Sequence, residues 1–240
     1  MHSQHAVILR QIRQHAAKPT TDTYLTNYLG SSHPRYLLKT GDFKKIARAW
    51  MREHRDLSAA EFAKLVRSLI LGKSFTEICL AGFLVNLAPR DMRTFDPALF
   101  DKWLNHLEGW CEIDTMCTGR YSETELPGQW KTWKPLLERF SKDKNITKRR
   151  ASLVFLCTPL RKTGDPRLLL QTFRNVERLK KEKEVLITKA ISWVLRSGCR
   201  HHKAAIKKYV DLNEDSLPKI AVRETRTVLT SGRKTKPKKK

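Results

Sequence analysis

The chain has 240 residues, 40% of them hydrophobic, which is enough apolar material for one large core or two small ones. Lysine and arginine total 48 against 24 acidic residues, a formal net charge of +24 at pH 7 that works against compactness through self-repulsion. The simplest reason to carry such a charge is a polyanionic partner, and phosphate neutralisation makes nucleic acid the leading candidate. A membrane surface is the weaker candidate, since no strongly amphipathic basic helix with a broad aromatic face is found.

The cysteine pattern and the hydropathy exclude other classes of protein. Five cysteines, an odd number, are widely spaced without a CxxC pair, so neither a zinc site nor a disulfide framework is indicated. The short cluster at 199–202 also lacks a tetrahedral ligand set. No apolar run approaches the roughly 18 residues that cross a bilayer, so no membrane partner is expected. We expect a reducing compartment: the cytoplasm, at the nucleoid in a bacterium, or the nucleus in a eukaryote.

Helix start signals recur along the chain. SAAE at 58–61 and SFTE at 74–77 are capping boxes, in which a serine and a glutamate three residues later satisfy the first backbone N–H groups of a helix. Asp96-Pro97 and Asp165-Pro166 each place a capping residue before a proline at the first helical position. Apolar residues then recur at helical spacing, and no segment alternates in strand fashion. The sequence therefore predicts an all-α fold.

The predicted helices are short and come in pairs. Ranges 41–54 and 58–72 would form one pair, and 145–158 and 166–179 another. Helix pairs of roughly 40 residues are typical of HEAT-like solenoids, whose concave face is a usual binding surface. We therefore expect a HEAT-like helical-repeat solenoid with a concave basic groove. A compact irregular helical bundle is the alternative.

Composition separates the last residues from the rest of the chain. The stretch SGRKTKPKKK, residues 231–240, cannot pack and is predicted to be a disordered basic tail. Residues 1–230 are expected to form a single HEAT-like domain. No feature of the sequence indicates an oligomer, so a monomer is expected.

Three segments carry side chains that could act together. Trp110 and Asp114 lie four apart in GWCEIDTMC, Arg150 lies in ITKRRASLVFLC, and Trp193 lies in ITKAISWVLR. The steps from Trp110 to Arg150 and on to Trp193 each match one HEAT-like period of roughly 40 residues. Residues one period apart lie on the same face of neighbouring repeats. Two indoles, a carboxylate and a guanidinium would then line one strip of the concave surface.

Each of these residues taken singly also has a plainer explanation. A tryptophan on a helix is more often part of the core than of a site. Asp114 could cap a helix or pair with Arg120, and the basic run at 148–150 could be the solvated start of a helix. The functional interpretation therefore depends on the combination of these residues and not on any one of them.

The same segments resemble the DNA alkylation repair family, the AlkD-like DNA glycosylases built of HEAT-like repeats. YLGSSHPRYLLKTGDFKKIARAW at 28–50 resembles the early signature of that family, and GWCEIDTMC at 109–117 its tryptophan-and-aspartate segment. KRRASLVFLC at 148–157 resembles its arginine helix, and ITKAISWVLR at 187–196 its second tryptophan helix. The four matches occur in the order found in the family, and the basic tail lies outside them.

The resemblance implies a role for each matched residue. Asp114 becomes the catalytic carboxylate, and Trp110 and Trp193 become the aromatic walls of the lesion site. Tyr28 matches an aromatic position near the lesion. The family commonly has a second acid directly after the first tryptophan, where this chain has Cys111, and we expect the chemistry to survive that change. The cations chosen for contacts with DNA phosphates are Arg150, the implied backbone clamp, together with Lys39, Lys44, Lys45, Arg149 and Arg196.

These roles imply excision of cationic N3- or N7-alkylated purines from double-stranded DNA. Breaking the base–sugar bond builds oxocarbenium character, which a fixed carboxylate stabilises and which indole faces attract. The expected enzyme is a monofunctional DNA glycosylase of base excision repair that needs neither cofactor nor metal. Two rival readings are a non-catalytic helical-repeat protein that binds DNA or RNA, and a protein scaffold whose charge only aids solubility.

Overall fold

The structure is a computed structural model that describes residues 1–21 and 26–234. Within these ranges the secondary structure is helical, and the strand-type pairing there is an isolated antiparallel bridge between Thr20 and Arg35. The predicted all-α class is therefore confirmed. No helix in the described ranges is long and apolar enough to cross a membrane. The chain divides into two compact units, Met1–Tyr121 and Ser122–Lys240.

The first unit is organised around one central helix. Its helices are α1 (Ser3–His15), α2 (Thr26–Leu29), α3 (Thr40–Glu53), α4 (Ala59–Ile70), α5 (Phe75–Leu87), α6 (Leu99–Trp103) and α7 (Gly109–Cys117), and α8 (Arg120–Gly128) begins at its end. Helix α5 packs against α3, α4 and α7, while α1 packs against α3 and α4. The predicted helices at 41–54 and 58–72 are thus present as α3 and α4, but the expected pairing of the two is wrong: α3 packs mainly against α5 and α1, and α4 packs mainly against α5.

Local capping explains several of the helix starts. The side chain of Ser58 accepts a hydrogen bond from the Glu61 N–H, and that of Ser74 accepts one from the Glu77 N–H, each at 3.2 Å, so both predicted capping serines are confirmed. The prediction that Pro97 is the first helical residue after Asp96 was wrong by two residues. Asp96 caps the Ala98 N–H at 2.9 Å, but the chain makes a turn there and α6 begins only at Leu99.

An aromatic cluster fills the core between α5 and α8. Phe95 lies at its centre, stacked on Tyr121 with ring centroids 5.3 Å apart and edge-on to Trp103 at the same distance. Phe100 and Trp103 are also fully buried. Large rings at these separations contribute substantial hydrophobic and quadrupolar stabilisation. The cluster anchors the stretch of chain that leads from α5 into α7.

The second unit alternates between two layers of helices. Its helices are α9 (Trp130–Phe140), α10 (Ile146–Lys162), α11 (Pro166–Leu179), α12 (Val185–Gly198), α13 (Lys203–Leu212) and α14 (Lys219–Ser231). Helix α12 packs against α10 and α14, and α9 packs against α10 and α11. The predicted pair at 145–158 and 166–179 is confirmed as α10 and α11, which contact each other. Such alternation is consistent with a helical-repeat protein.

The end of α14 is defined by a glycine. Gly232 follows the helix with φ of 68°, the left-handed conformation that closes many helices. The predicted basic tail at 231–240 lies mostly outside the described residues, which end at Lys234.

Candidate active site

Two glycines allow the backbone before Ser31 to touch the start of α7. Gly30 and Gly109 have φ values of 67° and 61°, which L side chains rarely adopt. A Cβ atom on Gly109 would lie only 2.1 Å from the carbonyl oxygen of Leu29. Glycine is therefore required at 109 on both steric and conformational grounds. The contact seats α2 over the first turn of α7, directly beside Trp110.

Tyr28 and Trp110 form an aromatic pair at this contact. The indole Nε1–H of Trp110 donates to the backbone carbonyl of Tyr28 at 2.7 Å. The two ring centroids lie 5.3 Å apart with an interplanar angle of 77°, an edge-on arrangement that aromatic quadrupoles favour. Tyr28 is 63% exposed, so the pair is presented to solvent rather than buried in the core.

Asp114 lies one helical turn after Trp110. The spacing of four residues places both side chains on the same face of α7, and both are half-buried. The backbone carbonyl of Asp114 accepts from the Thr118 N–H at 3.0 Å and from its hydroxyl at 2.7 Å, which closes the end of the helix. An acid and an aromatic pair therefore share one accessible face of a short helix.

A buried glutamate holds the 31–33 segment against α7. Glu112 is 1% exposed and accepts hydrogen bonds from the Ser31 hydroxyl, from His33 Nδ1 at 3.0 Å and from the Glu108 N–H at 2.7 Å. The hydrogen bond to Glu112 raises the pKa of His33, against the opposing effect of its own burial. The His33 ring thus contacts a carboxylate that is almost fully shielded from solvent.

A second carboxylate pins the same segment from outside. Glu108 accepts from the Ser32 N–H at 2.7 Å and from the Ser32 hydroxyl at 2.6 Å. The hydroxyl bond is the main reason that the pKa of Glu108 is lowered. Sequence reasoning missed both glutamates. Two signals were available in the sequence. Glu108 and Glu112 are four residues apart and flank Trp110, and a Ser-Ser-His run follows Gly30.

Helix α7 is held equally closely on its other side. A Cβ on Gly82 of α5 would lie 2.8 Å from the backbone of Thr115 and Met116, so glycine sets the distance between the two helices. The Asn86 amide donates to the Thr115 carbonyl at 3.2 Å across the same interface. The position of α7 is therefore fixed by backbone contacts on two sides.

Cys111, at the position where the resemblance implied an acid, faces α5. A hydrogen bond from the Cys79 thiol lowers the pKa of Cys111, while the negative charge of Asp114 acts in the opposite direction. The same bond, together with burial, raises the pKa of Cys79 well above its usual range. The thiol of Cys111 thus belongs to the helix interface, within electrostatic range of Asp114.

The two arginines predicted on α10 make internal contacts in the second unit. Arg150 is 4% exposed, and its guanidinium donates to the carbonyl of Leu186 at the start of α12. Arg149 pairs with Glu182 at 2.9 Å and also donates to the carbonyls of Asp143 and Lys144. Both guanidiniums therefore tie α10 to the chain around it, and their contacts with phosphate remain predictions.

Trp193 and Arg196 lie one turn apart on α12. Trp193 is half-buried, and its carbonyl accepts from the Ser197 hydroxyl at 2.9 Å. Arg196 pairs with Glu224 of α14 at 3.3 Å, and Ser192 donates to the same carboxylate at 2.6 Å. This cluster joins α12 to α14, so the predicted DNA contact of Arg196 would compete with an ion pair.

The predicted lysines of the first unit are exposed. Lys39 precedes α3, and Lys44 and Lys45 lie in its second turn. Lys45 has 83% of its side chain exposed, and its ammonium lies 3.9 Å from Asp42, a weak pair at this distance.

The structure thus brings Tyr28, Trp110 and Asp114 together in the first unit, and it places Arg150 and Trp193 on adjacent, packed helices of the second. In the described part of the chain, no group of three His, Cys, Asp or Glu side chains could hold a metal ion.

Comparisons with known proteins fit this arrangement. A search of curated proteins gave no match. The solved structure of a predicted DNA alkylation repair enzyme from Enterococcus faecalis is similar with a TM-score of 0.71 at 15% identity, covering 86% of this chain and 93% of that one. This likeness shows a shared fold. The family model for the DNA alkylation repair enzyme matches residues 8–229, nearly the whole length. The chain therefore belongs to the DNA alkylation repair enzyme family.

Proposed function

We propose that the chain is a monofunctional DNA glycosylase that hydrolyses the N-glycosidic bond of cationic N3- or N7-alkylated purines in double-stranded DNA. The observation that carries the proposal is the half-buried carboxylate of Asp114, one turn from an indole that packs edge-on against the exposed ring of Tyr28. Family membership supports a DNA substrate and a repair role.

The chemistry suits a carboxylate between aromatic walls. Alkylation at N3 or N7 makes the purine a cationic leaving group, and departure of the base builds positive charge at C1′. An ionised Asp114 stabilises that charge and orients the attacking water, while the ring of Trp110 attracts the same cation by about 0.5–2 kcal/mol. The step needs no cofactor or metal, because the substrate already carries the activating charge.

The second unit supplies the remaining predicted parts of the site. Trp193 would form a second aromatic wall, and Arg150, Arg149 and Arg196 would contact the DNA backbone. One copy of the chain suffices for this mechanism. We expect the enzyme to act in the compartment that contains the chromosomal DNA. Since Arg150 is largely buried, we expect its contribution to come from the edge of the guanidinium, or from placing α12 and Trp193.

Release of free base from a duplex containing N7-methylguanine tests the proposal. Wild type should release base, and Asp114→Asn should lose at least a hundredfold in single-turnover rate while its DNA affinity stays within about twofold, since the isosteric amide removes only the charge. Asp91→Asn, at an exposed acid of the same unit, is the matched control and should behave as wild type. Tight binding without release by wild type would instead support a non-catalytic DNA-binding protein.

A further inference from the structure

Helix α3 carries a row of exposed cations, of which only Lys45 is among the phosphate contacts predicted from the sequence. Lys45, Arg48 and Arg52 lie on it at intervals of three and four residues, and Arg55 follows just beyond its end. Side chains at these intervals share one face of a helix. The opposite face is buried in the unit through residues such as Trp50. The row is therefore a continuous basic edge, which we call the α3 ladder.

The four cations of the α3 ladder border one shared depression. They line a cavity of about 670 Å³, together with Met51 of the same helix and Leu87 at the end of α5. The aliphatic parts of long cationic side chains pack on such apolar surface while the charged ends stay in water. The ladder is thus a depression lined by cations and not a set of isolated surface charges.

The arginines of the ladder lack the acidic partners that other arginines of this chain have. No acid in the described ranges forms an ion pair with Arg48, Arg52 or Arg55. Arg149 and Arg196, by contrast, pair with glutamates at 2.9 Å and 3.3 Å. Unneutralised like charges along one helix repel each other. Their repulsion is relieved when a polyanion lies along the row.

We propose that the α3 ladder binds the sugar–phosphate backbone of the duplex to one side of the lesion. The inference rests on the proposed function for its choice of polyanion. Side chains whose Cβ atoms lie about 5–6 Å apart on one helix face meet a duplex with one negative charge per about 1.7 Å of axis, so several contacts form at once. Arginine also donates two parallel hydrogen bonds to a phosphate. Because phosphates carry no sequence information, the ladder adds affinity without base preference.

The salt dependence of binding to an undamaged duplex tests the ladder. Each lost phosphate contact lowers the slope of log K against log salt by about 0.9. The Arg48→Gln/Arg52→Gln/Arg55→Gln variant should therefore lose about two to three units of slope and bind at least tenfold more weakly at low salt. Arg→Lys replacements at the same positions should restore most of the slope.

A matched control separates local contacts from net charge. Lys131→Gln/Lys134→Gln/Lys142→Gln removes the same charge from exposed positions on and just after α9. The inference is overturned if this control lowers the slope as much as the ladder variant, or if the ladder variant keeps the wild-type slope. It is also overturned if millimolar inorganic phosphate saturates the ladder while the slope of log K against log salt for DNA binding is unchanged. That result would indicate a small-anion site.

The test is independent of base excision. Binding of undamaged DNA involves no bond breaking, so the ladder can be confirmed even if wild type releases no base. Conversely, base release by wild type with an unchanged slope in the ladder variant would refute the ladder alone. Under single-turnover conditions, the ladder variant should need a higher enzyme concentration than wild type to reach its maximal rate of base release, because the lost contacts act in binding.

Discussion

The indole N–H of Trp110 donates to the backbone carbonyl of Tyr28 at 2.7 Å, across 82 residues of chain. The bond fixes the plane of the indole. It also ties the exposed ring of Tyr28 to the helix that carries Asp114. Orientation of the aromatic wall is therefore set by a backbone atom, which side-chain substitution at Tyr28 leaves in place.

Trp110→Phe should keep an aromatic face but lose this fixed orientation. We expect about 1 kcal/mol less stability from the lost hydrogen bond and a fall of about three- to tenfold in single-turnover base release. Trp110→Ala should fall further, since the attraction of about 0.5–2 kcal/mol for the cationic substrate disappears as well. Trp130→Phe, at a tryptophan of the second unit that lies under Arg167, should leave the rate unchanged.

Gly109→Ala should be among the most damaging single-methyl changes in the chain. The new Cβ meets the Leu29 carbonyl oxygen at 2.1 Å and forces an unfavourable φ of 61°, so we expect a loss of about 3 kcal/mol or more in the free energy of unfolding. Gly41→Ala on α3 is the control, because nothing lies within 4 Å of its added methyl and the change should stabilise by about 0.4–1 kcal/mol. Equal melting temperatures for the two variants would contradict the close backbone contact.

The stability of the first unit should depend on the protonation of His33. Its pKa is raised above the ordinary value of 6.5 by the hydrogen bond to Glu112. A raised pKa in the folded state means that the contribution is fully present below 6.5 and is lost as the pH rises through the folded-state pKa. The difference in unfolding free energy between wild type and His33→Gln should thus be largest below pH 6.5 and shrink as the pH rises through the folded-state pKa.

Glu112→Gln provides the check on this assignment. Without the carboxylate, the His33→Gln substitution should have little further effect at any pH, and a double-mutant cycle measures that coupling directly. An undiminished pH-dependent effect of His33→Gln in the Glu112→Gln background would show that another group stabilises the histidinium.

Arg150→Met should destabilise the second unit, unlike changes at the exposed cations. The substitution leaves the Leu186 carbonyl without its charged donor, which we expect to cost about 2–3 kcal/mol. Lys189→Met, at an exposed position of α12, is the control. If Arg150→Met instead keeps the wild-type melting temperature but weakens DNA binding, the residue acts mainly as a phosphate contact.

Local signals in the sequence predicted the helices well. Serine at 58 and 74 and aspartate at 165 cap the helices they were expected to cap, because capping depends on residues three or fewer apart. Asp96-Pro97 has the same local signal, but the chain turns before α6 begins. The buried aromatic cluster around Phe95 offers a tertiary reason for that delay.

The contacts around the candidate site could not be predicted in the same way. The hydrogen bonds from Ser31 and His33 to Glu112 join residues about eighty positions apart, and no periodicity signals such a pairing. The ion pairs of Arg149 and Arg196 likewise depend on glutamates that packing brings near. The closeness of Tyr28 and Trp110 was anticipated only through family resemblance, since nothing local links them.

The backbone contact at Gly30 and Gly109 also has a consequence for how the protein is made. Tyr28 is synthesised long before Trp110. Its ring can therefore form the aromatic pair only after α7 has been synthesised. Contacts between residues this far apart in the sequence form late and slowly in folding, because closing the intervening loop costs conformational entropy. A nascent or partly unfolded first unit can therefore hold most of its helices and still lack the contact between Tyr28 and Trp110. The candidate site is then assembled only in chains that have completed folding.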